Sequence, residues 1–395
     1  MDVLMLSLIM ATINTMDLVT NIFGVIVAGM GPVELGIMNA LWTVAFIFAI
    51  RVANKLADKG EIRAQLIIAL SSFILMNIFM LVFLYLKDPW ILIYTYMVHA
   101  LVFSFARTGI SSYIHENYNS YEWNKILSRR IKFTMLIEAI YFAIISLIGI
   151  NVLIKSYIFF SLFNTLLFFT LLLSIREPVL KIERLMYSLE GKLSDILARL
   201  NYFLMLSSIQ VEGLIPRSFR LYNLRTIGMG LIITSLLAFR ISNEYLLTPF
   251  PFYLNRVLHI SPDNMVLIYG AGRLIAALFL FILSTHVSPI IYLSSLAIRI
   301  LAIFLFLIKR DLVVIGLALG LIYFTNNSID LAMYLTYVRK TGGYGIGMYL
   351  LLGEIGSLIG TLTSGLIFNG IGLQGFFILI MALSMLCVFI VRALG

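Results

Sequence analysis

What most constrains this chain is a succession of twelve apolar runs, each near the length a bilayer demands. A hydrocarbon core of about 30 Å is crossed by about 20 apolar residues in a helix. Runs of this kind fall at 4–28, 33–52, 64–86, 90–113, 132–153, 156–175, 225–248, 262–284, 288–308, 312–336, 345–369 and 371–392. The first has no positive leader and no small-residue cleavage site, so it reads as a span and not as a cleavable signal. A water-soluble fold is excluded: 61% of the residues are hydrophobic and only 12% charged, against about 25% charged in a soluble domain. The expected fold class is an all-α integral membrane protein with 12 transmembrane helices, and the bilayer is its first partner.

Lys and Arg in the loops orient the spans. With the N-terminus cytoplasmic, one side carries Arg51, Lys55, Lys59 and Arg63 after span 2, and Arg107, Lys125, Arg129, Arg130 and Lys132 after span 4. The same side holds eight more between spans 6 and 7, and then Arg339, Lys340 and Arg392. The other side has only Lys87, Lys155, Arg256, Lys309 and Arg310. Both termini are therefore expected in the cytoplasm of a multi-pass protein of the cell (plasma) membrane. This asymmetry also accounts for most of the net charge of +9, so no nucleic-acid partner is needed. A monomer is favoured.

The long polar stretch after span 6 divides the chain. Residues 1–175 form an expected N-terminal six-helix bundle, 176–224 a cytoplasmic linker, and 225–395 a C-terminal six-helix bundle. Within the linker Leu189, Leu193, Ile196, Leu197, Leu200 and Leu204 share one helical face, with Lys192, Asp195 and Arg199 elsewhere. This helix lies either on the inner membrane surface or on loop ends. The halves repeat weakly: Leu136-Ile137-Glu138 in span 5 answers Leu352-Gly353-Glu354 in span 11. A parallel 6+6 pseudo-repeat is an architecture of secondary transporters.

Charged and polar groups inside spans are costly and point to function. Span 1 sets Asn14, Asp17 and Asn21 on one face, and span 10 sets Tyr323, Asn326, Asn327 and Asp330 on one face. Span 7 gathers Arg240, Asn243 and Glu244; span 4 has His99 and Arg107; span 8 has Arg273. These groups either enclose one wet cavity near mid-depth or bond to one another throughout. Arg273 and Asp330 read as an intramembrane ion pair or a substrate-carboxylate clamp. Arg240 and Glu244, four residues apart, have the spacing of an intrahelical pair. Glu138 and Glu354 are placed to meet Arg129 or Arg130 and Arg339 at the cytoplasmic ends. Arg299, mid-way along span 9, requires a partner on a neighbouring helix.

Enzyme chemistry finds no support. His115-Glu116 is followed by Asn119 where a zinc-protease helix needs histidine, and His99, His115, His259 and His286 have no ligand spacing. No glycine loop precedes Lys-Ser or Lys-Thr, and Cys387 is alone in an apolar run. No metal and no cofactor is expected.

Between spans 2 and 3 stands Asn54-Lys55-Leu56-Ala57-Asp58-Lys59-Gly60-Glu61-Ile62-Arg63. With the Arg176-Glu177-Pro178 that follows span 6 and a glycine-rich span 11, this resembles the major facilitator superfamily. In that motif Asp58, Lys59 and Arg63 fit. Asn54 stands in place of the leading glycine, Gly60 comes one position early, and the glycine-proline motif of many drug–proton antiporters is absent from span 5. The resemblance implies that spans 3, 6, 9 and 12 face lipid while 1, 4, 7 and 10 line a central cavity. It implies that Asp58 and the neighbouring basic residues hold the cytoplasmic ends together in one state. It also implies that Asp17, with His99 or Arg107 on span 4, carries a proton; a substrate contact and a structural hydrogen bond are the alternatives. The expected function is secondary active transport of a small solute by alternating access, with proton coupling. A passive facilitator or an exporter of amphipathic compounds is the alternative, and a sensor or scaffold is a remoter one.

Overall fold

A computed structural model describes residues 3–58, 61–118, 122–174, 216–282, 289–308, 311–341 and 346–390. All regular structure among them is helical, and apart from a few short turns of helix it consists of α1 (Val3–Ile26), α2 (Pro32–Asp58), α3 (Ile62–Leu86), α4 (Pro89–Asn117), α5 (Trp123–Ile148), α6 (Tyr157–Ser174), α7 (Pro216–Leu247), α8 (Pro262–Ile282), α9 (Pro289–Ile308), α10 (Leu312–Thr341) and α11 (Ile346–Leu386). Ten of these helices are long and apolar enough to cross a membrane, and a shorter apolar segment, Tyr292–Ile308, adds to them. The chain is a multi-pass membrane protein.

Local chemistry sets the helix ends. Asp88 caps α4 by accepting the Trp90 N–H at 2.9 Å with Pro89 at the first helical position. Asp311 caps α10 in the same way through Val313 N–H at 2.8 Å. The long α11 is broken at Gly372, whose φ of 69° suits a residue without a Cβ. Its two arms, 346–371 and 373–386, correspond to the last two apolar runs. Two boundaries differ from the sequence reading. Helix α7 begins at Pro216, inside the stretch assigned to the linker, and α4 continues to Asn117, beyond the expected end of span 4 at 113. The amphipathic 189–204 segment lies outside the described residues.

Within the first part of the chain α3 and α2 pack on α4, and α1 packs on α5 and α4; in the second part α7 packs on α11, α8 on α10 and α9 on α10. The parts meet along two seams, α5 against α8 and α2 against α11. The outer wall is apolar and bare, with Leu147 88%, Phe159 72% and Phe48 64% exposed, as lipid contact requires. The seams are tight at the end that carries the α1–α2 turn. There Ile150 N–H and Ser146 Oγ–H bind the Oδ1 and backbone carbonyl of Asp263 at 2.6 and 3.0 Å, and a Cβ on Gly36 would sit 2.6 Å from the Thr361 carbonyl.

Candidate functional site

A cavity of about 340 Å³ lies between the two seams. Its walls come from α1, α2 and α4 on one side and α7, α8, α10 and α11 on the other. Its lining mixes apolar rings with six ionisable groups of opposite sign: Asp17, Arg107, Arg240, Glu244, Arg273 and Glu354.

The first wall is a hydrogen-bonded network around Asp17. Tyr96 donates its hydroxyl to Asp17 Oδ1 in a short bond. The same hydroxyl accepts from Asn21 Nδ2 at 3.0 Å, and Asn39 Nδ2 donates to Asn21 Oδ1 at 2.9 Å. Helical spacing makes this possible. Tyr96, His99, Phe103 and Arg107 recur at one face of α4, and Asn39, Trp42 and Thr43 at one face of α2. His99 is fixed beside this network. Trp42 Nε1–H, a donor only, points at Nδ1 from 3.0 Å, so Nδ1 must accept and Nε2–H must donate to the Ile13 carbonyl at 3.0 Å. Both nitrogens of a neutral imidazole are thereby occupied. The expected Asp17–His99 pairing is thus replaced by Asp17–Tyr96.

The second wall carries two ion pairs. Arg240 Nη2 lies 2.8 Å from Asp330 Oδ1, which also accepts the Tyr349 hydroxyl at 3.2 Å. Arg273 Nε lies 2.9 Å from Glu138 Oε2, and its guanidinium covers the Tyr323 ring at 3.9 Å. The Arg273–Glu138 contact is ionic and not a well-aligned hydrogen bond, since neither atom has a hydrogen-bond partner. Asn14 Nδ2 donates to Glu138 Oε1 at 2.6 Å. Glu244 accepts from Thr248 at 3.1 Å. Close approach of α7 to α11 is what aims Arg240 and Glu244 inward, because a Cβ on Gly360 would stand 2.7 Å from Glu244 Cβ.

Of the residues singled out in the sequence, Asn14, Asp17, Asn21, His99, Arg107, Arg240, Glu244, Arg273, Tyr323 and Glu354 line this one cavity. Others do not. Asn326 is held by Arg299, Asn327 donates to the Tyr323 carbonyl at 2.7 Å within its own helix, and Asn243 is buried away from the lining. Asp330 stands behind Arg240. Arg273 and Asp330 are therefore not partners, and neither are Arg240 and Glu244, because each arginine reaches a carboxylate on a different helix.

The expected cytoplasmic gate is also redrawn. Glu138 is directed into the α5–α8 seam toward Arg273, away from Arg129, which is exposed, and Arg130, whose buried Nη1 has no hydrogen-bond partner. Glu354 faces the cavity beside Arg240, and the Arg339 side chain lies outside the described residues. The Asp58 side chain and Lys59 also lie outside them, while Arg63 is exposed on α3. Arg299 is fully buried and points inward. It donates to Ser384 at 3.0 Å, to Ser242 at 2.9 Å and to Asn326.

Tyr96, Asn39, Trp42, Thr43 and Tyr269 were not anticipated as lining. The signal for Tyr96 was its place on the His99 face. For Asn39 it was Asn39, Trp42 and Thr43 at i, i+3 and i+4, which share one face of span 2.

Solved structures share this architecture. The chain is similar to the D-xylose–proton symporter (TM-score 0.66, 14% identity, 99% of this chain and 95% of that one). It is similar also to the nucleoside transporter NupG (TM-score 0.60, 13% identity, 99% and 97%). A bacterial homologue of the human lysosomal transporter Spinster follows at TM-score 0.54 (13% identity, 99% and 94%). The chain has the major facilitator fold. No protein-family model and no curated protein sequence matches it. The neighbours of this fold are transporters and not enzymes. Among the described residues no three His, Cys, Asp or Glu side chains are grouped to hold a metal ion.

Proposed function

We propose that this protein is a secondary transporter that moves a small solute by alternating access, coupled to protons. The observation that carries this reading is the position of the cavity. It is polar and charged, and its two walls belong to different parts of the chain that meet chiefly along two helix seams. A rocking motion about those seams would open the cavity to alternate sides without unfolding either wall.

The same reading makes the chain two six-helix bundles, 1–175 and 225–395, joined by a cytoplasmic linker at 176–224, with both termini cytoplasmic in the cell membrane. Ten crossing helices, the shorter Tyr292–Ile308 and the break at Gly372 together fit 12 spans. Matching aspartate caps at α4 and α10 support the repeat. On this topology the tight end of the seams is the external one. Xylose–proton symport and nucleoside transport are the activities named for two neighbours of the fold, and both are movements of small solutes.

Asp17 is the proposed proton carrier. It lines the cavity, and its hydrogen bond comes from the neutral donor Tyr96 and not from a cation, so gaining a proton breaks no ion pair. The test is transport in proteoliposomes. An imposed pH gradient is expected to drive uphill solute movement in the native protein, and Asp17→Asn is expected to retain only downhill exchange. Undiminished gradient-driven accumulation in Asp17→Asn would remove Asp17 from the role, and no solute flux in either protein would remove the transport reading.

A further inference from the structure

Resting on the transport reading, we infer that the solute of this cavity is an organic cation, an ammonium group carried on an apolar or aryl body. The inference comes from which charges in the lining are already matched. Of the three lining arginines, Arg240 is held by Asp330 at 2.8 Å and Arg273 by Glu138 at 2.9 Å, and neither of those carboxylates belongs to the lining. That leaves Arg107 as the remaining lining cation against three carboxylates, Asp17, Glu244 and Glu354.

None of those three is in ion-pair contact with a cation among the described residues, although Arg240 stands near Glu244 and Glu354, and Arg107 near Glu354, at longer range. Asp17 takes a hydrogen bond from Tyr96, and Glu244 takes them from Ser357 and Thr248, all neutral hydroxyls. Among the described residues Glu354 has neither a hydrogen bond nor an ion pair within bonding distance. The cavity therefore holds a surplus of negative charge in surroundings of reduced dielectric, where it repels anions and favours a cation. The walls suit an organic body and not a bare metal ion. Trp42 lines the cavity with Phe46 stacked on it at 5.3 Å and 7°, and no cluster of metal-ligating groups is present among the described residues. An aromatic face beside carboxylates is a recognition pattern for ammonium groups.

The experiment is equilibrium binding to the purified full-length protein in detergent, read by calorimetry and thermal shift. The probes are phenyltrimethylammonium, a permanent cation; benzenesulfonate, a permanent anion of similar shape; and xylose, a neutral polyol. The cation is expected to bind saturably and the anion not at all. Glu354→Gln is expected to weaken the cation by about tenfold or more, and Arg107→Gln, which enlarges the negative surplus, to tighten it. The second variant keeps the test decisive if the first fails to fold. Binding of benzenesulfonate or xylose without the cation, or cation affinity unchanged in both variants, would overturn the inference. Cation binding without flux in proteoliposomes would count against the transport reading alone. Flux of a neutral solute with no cation binding would count against this inference alone.

Discussion

Glu138 on α5 and Arg273 on α8 approach to 2.9 Å across the seam that joins the two parts of the chain. Glu138 is almost wholly buried and Arg273 is 23% exposed in its side chain, so the pair is shielded on both sides. Asn14 satisfies the other carboxylate oxygen and Tyr323 covers the guanidinium. Cutting one partner leaves the other charged and buried. Glu138→Gln and Arg273→Met are each expected to destabilise the protein by about 3 kcal/mol or more, while the double variant loses less than the sum of the two. Thermal unfolding of the four proteins in detergent measures this. Additive losses would show that the two side chains do not interact.

Tyr96 is the centre of the hydrogen-bonded wall, donating to Asp17 and accepting from Asn21. Tyr96→Phe removes both interactions and keeps the ring against Trp42 and His99. The expected cost is about 1–3 kcal/mol of stability. Gradient-driven uptake is expected to fall by at least about tenfold, because Asp17 loses the donor that orients it. Uptake assays paired with thermal melts separate the two effects. Native uptake in a destabilised Tyr96→Phe would make the network structural only.

The sequence revealed the spans and the ionisable half of the cavity, and for different physical reasons. Length and hydropathy fix a membrane helix almost alone, so nine of the twelve runs reappear as separate long crossing helices, and a tenth long helix covers the last two runs, with the Gly372 break at the start of the second. Charges inside such helices are rare, so Asp17, Arg240, Glu244 and Arg273 stood out and do share one cavity. Pairing was illegible. Whether Arg273 meets Asp330 or Glu138 depends on the rotation and depth of helices far apart in the chain, which periodicity does not fix. Neutral groups such as Tyr96 and Trp42 were passed over because neither is costly enough in a bilayer to draw attention. Arg299 shows the limit in the other direction: a charge in span 9 was conspicuous, yet it ties helices together and does not line this cavity.

The α2–α11 seam depends on missing side chains. A Cβ on Gly36 would lie 2.6 Å from the Thr361 carbonyl, and one on Gly365 would collide with the Pro32 backbone. Backbone on both sides leaves no flexible tip to move aside. Gly36→Ala is expected to prise the seam apart at this end and favour the state in which the cavity opens there. A cysteine replacing Ser357, which lines the cavity, reports it. An impermeant maleimide added from that side should label it slowly in the Gly36 background and severalfold faster in Gly36→Ala. The native Cys387 is buried and contributes little label. Equal labelling rates would mean that the seam does not close the cavity.

Arg299 separates packing from transport. Its guanidinium is fully buried and divides its donors among Ser242 on α7, Ser384 on the second arm of α11 and Asn326 on α10, with Phe239 beneath it at 5.3 Å. Three helices are thus tied to α9 through one side chain, and none of these groups borders the cavity. Arg299→Met removes every donor: Ser242 and Ser384 keep each other and the Ile380 carbonyl as partners, while the half-buried Asn326 side-chain oxygen loses its own, which costs about 1–3 kcal/mol, and the contact over Phe239 is lost with it. A strong loss of folded yield is expected. Arg299→Lys keeps the charge but cannot reproduce the planar, multi-pronged geometry, so an intermediate loss is expected. In whatever fraction folds, the KM for solute should stay within about twofold of the native value, because the lining is unchanged. A KM that rises tenfold in Arg299→Lys at unaltered Tm would place this arginine in solute recognition.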